Sequence, residues 1–157
     1  MPAQMLTSHG ELDAAIDTLL KTADAALDVF DHDLSWLSLE RPQRIAELER
    51  ILRERSHRVR IIVQDGSRLS ARSPRLMRLF ETHAHHFELV QAPDRLGELR
   101  DSMLIADNRN ALVRFHRDQP RGKLIEDDPD EVRGYAMRFA EVVDEGGHPL
   151  SPRVAGL

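Results

Sequence analysis

Seven side chains between positions 100 and 123 have the types and spacing to bind an anion: Arg100, Ser102, Asp107, Arg114, His116, Arg121 and Lys123. Arg114 and His116 share a face of one extended segment by two-residue alternation, and Arg100 precedes the segment that pairs with it. Guanidinium forks converging there would suit a phosphate or carboxylate. Two other groups have metal-like residue types. Asp31-His32-Asp33 and Asp65 each end an apolar run, where carboxylates and one imidazole could hold a divalent cation. Asp is also the ordinary residue of such turns, and that reading is the stronger. His83, His85 and His86 lack the spaced carboxylate or Cys partner of a zinc site, and they suit the negative end of a helix dipole. No metal ligand, cofactor site or catalytic residue is expected from these patterns, and no Gly-rich phosphate loop or nucleophile elbow occurs.

The elements that must position these residues follow from the hydrophobic pattern. Ser8-His9-Gly10-Glu11 has the form of a capping box and predicts a helix, with Leu12, Ile16, Leu19, Leu20 and Ala23 on one stripe. Residues 25–30 form a short apolar strand. Pro42 opens a second helix with Ile45, Leu48, Ile51 and Leu52 inside, and 58–64 reads as a central strand ended by Asp65-Gly66-Ser67. Ser73-Pro74 starts a third helix, followed by a strand at 87–90. Two apolar strands, 103–106 and 111–115, flank Asp107-Asn108-Arg109-Asn110 and predict a β-hairpin. A polar loop through 119–123 leads to a last helix from Asp128-Pro129, which Gly146-Gly147 stops. The predicted units are one domain over 1–147 and a frayed tail over 148–157.

Composition narrows the class. At 157 residues, 41% hydrophobic and 31% charged, the chain has the make-up of a soluble globular domain, with aliphatic rather than aromatic core residues. Cysteine is absent, so disulfides and thiolate metal sites are excluded. With no signal-peptide pattern and no apolar run of membrane-spanning length, the expected location is the cytoplasm. The net charge of -5 hides an asymmetry: residues 1–40 hold eight acids against Lys21, whereas 41–78 hold eleven Arg against four acids. Such an Arg-rich stretch is either a phosphate-facing surface or a solvated helix face.

The hairpin carries a resemblance to the phospholipase D family. That family's motif, HxKxxxxD, aligns its His with Arg100, its Lys with Ser102 and its Asp with Asp107, so only Asp107 fits. The order of elements also resembles one half of the phospholipase D fold. It is similar to a bacterial family of small phospholipase D-related domains that lack the catalytic pattern and can be joined to acyltransferase domains. The resemblance implies an α/β fold: a mixed, mostly parallel sheet of about five strands with a C-terminal β-hairpin, flanked by about four helices. In the active family the His is the nucleophile and the Lys stabilises the phosphoryl charge. Arg100 has no free lone pair and Ser102 no charge, so neither can take those roles. The family's Gly-Ser falls at Arg114-Phe115. The resemblance therefore implies a non-catalytic binding or scaffolding module. Its expected partners are a second copy in an isologous dimer, a phosphate-bearing ligand, or an acyltransferase-type protein. Neither a membrane nor nucleic acid is an expected partner. The alternative is a phosphodiesterase-type hydrolase that recruits His116 or His32 as nucleophile.

Overall fold

The computed structural model describes residues 2–151. Local signals set the helix starts. In α1 (His9–Thr22), Ser8 Oγ accepts from Glu11 N at 3.1 Å, and Glu11 reaches back to accept from Thr7 N at 3.0 Å. Helix α2 (Pro42–Leu52) has Pro at its first turn. The third predicted helix is α4 (Pro74–Thr82), and an additional short helix, α3 (Leu69–Arg72), precedes it; the two are separate because Ser73, held ahead of Pro74, is not helical (φ -132°, ψ 55°). Helix α5 (Pro129–Asp144) is capped by Asp128, whose side chain accepts from Glu131 N at 3.1 Å.

The strands are β1 (Gln4–Leu6), β2 (Ala26–Asp31), β3 (Arg58–Val63), β4 (Phe87–Gln91), β5 (Ser102–Ala106), β6 (Asn110–Arg114), β7 (Gly122–Ile125) and β8 (His148–Pro149). They form one sheet in the order β1-β7-β6-β5-β2-β3-β4-β8. Only β2–β3 and β3–β4 are parallel; the other five pairings are antiparallel. The expectation of a mostly parallel sheet of five strands is thus corrected on both counts. Helix-linked crossovers do produce the parallel trio. The hairpin then returns antiparallel against β2, and the three further strands are too short and polar to show two-residue periodicity.

The hairpin itself is as expected, with Asp107 and Asn108 at φ 59° and 52°, the signs a type I′ turn demands. His148 and Pro149 pair with Gln91 and Val90, so the start of the predicted tail is strand. Gly147 (φ 128°) makes this possible, since a Cβ there would sit 2.4 Å from the Gln91 carbonyl oxygen. Residues 152–157 lie outside the described residues.

Alternation along the strands divides the interior. Leu27, Val29, Leu104, Ala106 and Leu112 pack under α1, α2 and α4, while Phe30, Met103, Ile105, Ala111 and Val113 pack under α5. Each fully buried Leu, Ile or Phe contributes roughly 1.5–3 kcal/mol.

Much of the charge asymmetry is spent inside the fold. Arg44, 1% exposed, donates to Asp17 (2.9 Å), Asp13 (3.0 Å) and the Leu37 carbonyl (2.6 Å). Arg41 also pairs with Asp13, and Arg58 and Arg60 flank the buried Asp28. The acids of the first forty residues therefore neutralise part of the arginine-rich stretch that follows.

Candidate functional site

Strand register places four residues in a row across the sheet, all on the α1 side. Ser102 pairs with Arg114 and Arg114 with Gly122, while the Phe30–Met103 pairing sets Asp31 beside Ser102. At Gly122 any side chain is excluded, because a Cβ would lie 2.2 Å from the Val113 carbonyl oxygen and 3.2 Å from Leu12. Asp31, Ser102 and Arg114 are 1%, 1% and 5% exposed.

A buried carboxylate is stable only when its lone pairs are used. Asp31 Oδ1 accepts from Trp36 Nε1 at 2.8 Å and from the Ser102 hydroxyl, and Oδ2 accepts from Leu34 N at 2.6 Å and Asp33 N at 3.2 Å. These bonds hold the loop after β2 in a strained path in which Leu34 (φ 69°) and Ser38 (φ 46°) are left-handed. The loop lays Trp36 over the row, where its indole also reaches Ser102 Oγ at 3.2 Å. The Arg114 guanidinium stacks on that indole, 5.0 Å from the ring centroid, and donates from Nε to Gln119 O at 3.0 Å. Burial pulls the Arg114 pKa below its ordinary value, opposed by the charges of Asp31 and Asp118.

No hydrogen-bond partner among the described residues meets the two terminal nitrogens of Arg114, and no unpartnered side-chain nitrogen there is sealed from solvent. Arg114 forms one wall of a cleft of about 380 Å³, completed by Arg41, Trp36, Ser35, Ser38 and the start of α1 at His9 and Gly10. One buried-stem cation thus fronts an open space that Arg41 and its ion-pair partner Asp13 also line.

The other predicted site residues are dispersed. Arg100 lies at the same edge, its backbone carbonyl accepting from Arg117 N at 2.9 Å, but its guanidinium turns onto the Gly97 carbonyl at 2.7 Å. His116 is half-exposed and accepts at Nδ1 from Asp118 N at 3.1 Å. Arg121 is exposed just before β7. Lys123 faces α5 instead, bonded to Glu131 at 2.7 Å and over the Tyr135 ring at 5.0 Å; Glu131 and Tyr135 raise its pKa. Asp107 is at the far end of β5. Its carboxylate accepts from Asp24 N, Ala25 N and Ala26 N at 2.9, 2.8 and 2.9 Å, tying the hairpin turn to the start of β2.

Asp33 and Asp65 accept from Ser35 and from Ser67 N within their own turns. Among the described residues no three His, Asp or Glu side chains are arranged to hold a metal ion. His86 Nδ1 lies 2.8 Å from the His57 carbonyl and so carries a proton, which leaves Nε2 to accept from His83 Nδ1 at 3.3 Å. The sequence reading missed the link from Asp31 to Ser102. Its one local signal is the apolar strand ending in Asp with Trp five positions later, since that spacing lets a loop fold back onto its own carboxylate.

Comparison with known proteins adds the fold's relatives. A family model described as "Domain of unknown function (DUF7931)" matches residues 8–149. No curated protein matches the chain. Among solved structures, TrmBL2, an archaeal chromatin protein described as showing a novel mode of DNA binding, is similar at TM-score 0.69 and 14% identity. That match covers 96% of this chain and 54% of the other, so this chain spans about half of that protein. Nuc, a phospholipase D family member from Salmonella typhimurium, is similar at TM-score 0.65 and 11% identity, over 95% of this chain and 97% of that one. At these identities the likeness is one of fold.

Proposed function

Given that the chain belongs to the DUF7931 family and has a phospholipase D-like fold, we propose that it is a non-catalytic binding module of that fold. The observation that carries this reading is the Asp31–Ser102–Trp36–Arg114 network. Where the resemblance puts a phosphoryl-accepting imidazole, Arg100 is bound to backbone carbonyls. At the ammonium position, Ser102 is buried and its hydroxyl is given to Asp31. A side chain sealed under an indole and already hydrogen-bonded is a poor nucleophile for a bulky phosphodiester. What remains accessible is the Arg114 cleft, suited to a phosphate or carboxylate group.

Trp36 is the sole tryptophan and lines this cleft, so its emission reports on it. Titration with inorganic phosphate should change that emission saturably, and the change should vanish in Arg114→Ala. In parallel, a chromogenic phosphodiester should not be turned over, with or without divalent metal. Turnover that disappears in His116→Ala would replace this reading with the hydrolase one. Light scattering across a concentration series tests the proposed self-association; a strict monomer that also gives no phosphate response would refute the module reading.

A further inference from the structure

Nine of the eleven arginines between positions 41 and 78 fall into two sets. Five are ion-paired with carboxylates. Arg53, Arg72, Arg75 and Arg78 have no carboxylate within 4.0 Å among the described residues, yet they line two adjoining clefts. The first cleft, about 450 Å³, lies between α2 and α4 and presents Arg53, Arg75 and Arg78 above an apolar floor of Ile45 and Leu79. The second, about 560 Å³, runs between α4 and the loop after β2 and presents Arg72 and Arg75. Arg75 belongs to both.

Helical spacing explains the convergence. Arg75, Arg78, Leu79 and Thr82 follow one another at three- and four-residue steps, so one face of α4 carries two guanidinium groups and an apolar side chain toward α2. The first cleft keeps an excess of positive charge, three guanidinium groups against Glu49, while in the second Asp33 and Glu40 offset Arg72 and Arg75. Glu40 is occupied at the start of α4, accepting from Arg75 N at 2.8 Å and Leu76 N at 3.1 Å. Asp33 accepts from Ser35, and Glu49 is the sole carboxylate in the first cleft. Arg75 Nη1 also donates to the Glu40 carbonyl at 3.2 Å, and the three guanidinium groups that share the first cleft repel one another, a repulsion that an anion with several oxygens relieves best.

We propose that the two clefts together form a binding site for an organic diphosphate of nucleotide size. The diphosphate lies on Arg75, reaching Arg72 on one side and Arg53 and Arg78 on the other, and the organic body covers Ile45 and Leu79. This site adjoins the Arg114 cleft at Ser35, Ser38 and Arg41 but uses different guanidinium groups.

Isothermal titration of the full chain with inorganic pyrophosphate, orthophosphate and adenosine diphosphate tests the proposal. In the Arg114→Ala background, which removes the anion site of the other cleft, pyrophosphate should bind one to one and about tenfold more tightly than orthophosphate, as expected for added charge-assisted bonds. The nucleotide should bind more tightly still through the apolar floor. Arg75→Ala and Arg78→Ala should each weaken binding about tenfold, whereas Arg55→Ala, outside these clefts, should leave it unchanged. Circular dichroism confirms that each variant is folded, and Arg78→Lys should keep part of the affinity because it keeps the charge. The proposal is overturned if no saturable heat appears up to about 1 mM ligand, a free energy near 4 kcal/mol. Equal affinity for orthophosphate and pyrophosphate, or equal loss in Arg55→Ala, would also overturn it.

Discussion

Replacing Asp31 by Asn keeps the shape of the side chain and changes one acceptor into a donor, which makes it a direct probe of the buried network. The amide has two orientations. With Nδ2 toward the loop, it meets Leu34 N and Asp33 N, two fixed backbone donors that cannot turn away. With Nδ2 toward the row, it meets the Ser102 hydroxyl, which can rotate and accept, and Trp36 Nε1, which keeps only its 3.2 Å contact to Ser102 Oγ. The second orientation is the cheaper. It removes the charge-assisted bond from Trp36 and weakens the two backbone bonds, for a loss of about 2–3 kcal/mol. Asp31→Ala removes every acceptor and leaves the buried Leu34 N and Ser102 hydroxyl without their partner, for about 3–5 kcal/mol. With a urea m-value near 2 kcal/mol/M, Asn should lower the midpoint by about 1–1.5 M and Ala by about 1.5–2.5 M. Urea unfolding followed by both circular dichroism and Trp36 emission measures this. Emission should also shift to the red before unfolding, as the indole loses its anchor. A midpoint within about 0.3 M of the parent for the Asn variant, with emission unshifted, would refute the claim that this carboxylate organises the loop.

Three further perturbations probe other parts of the structure. Asp107→Ala removes the acceptor for three backbone N–H groups and should cost about 2–4 kcal/mol in chemical denaturation, while Asp107→Asn should retain part of it. Gly122→Ala forces a methyl group against the Val113 carbonyl, so β7 must move from β6; a loss of about 2–4 kcal/mol is expected by the same measurement. His83 is held below its ordinary 6.5 first by burial and then by His86 and His85, with Glu49 opposing. The folded protein therefore binds fewer protons than the unfolded chain between that lowered pKa and 6.5. The stability His83 contributes is full above 6.5 and is lost as pH falls through that window. His83→Gln should flatten the fall in urea midpoint between pH 7 and pH 5, and an unchanged slope would count against the arrangement.

The helices were legible because their starts are written in adjacent residues: Ser8 with Glu11, Pro42, and Asp128 with Pro129 all act over a few positions. The parallel trio was legible for a similar reason, since 25–30, 58–64 and 87–90 are apolar runs separated by helix patterns. Strands β1, β7 and β8 were not. Three, four and two residues long, they contain too little alternation to distinguish them from loop, and their pairing is decided by distant partners. The site divides in the same way. Period-two alternation put Arg114 on one face, but the parity that turns Lys123 toward α5 depends on β7 being a strand at all. The contact of Asp31 with Ser102 joins residues far apart in the chain, and only the antiparallel register of β2 and β5 brings them together. The charge blocks were visible in the sequence, whereas which arginines meet acids depends on α1 lying against α2.

The sheet ends on one side in β1, a three-residue edge strand whose Gln4 faces Leu124 across the ladder. During synthesis β1 is made well before its mate β7, so until β7 leaves the ribosome Leu6 lacks its strand partner and the outer edge of β6 stays open. A nascent chain in that interval offers a bare backbone edge to any extended peptide nearby, which makes this segment the place where chaperone engagement or strand exchange between copies would begin.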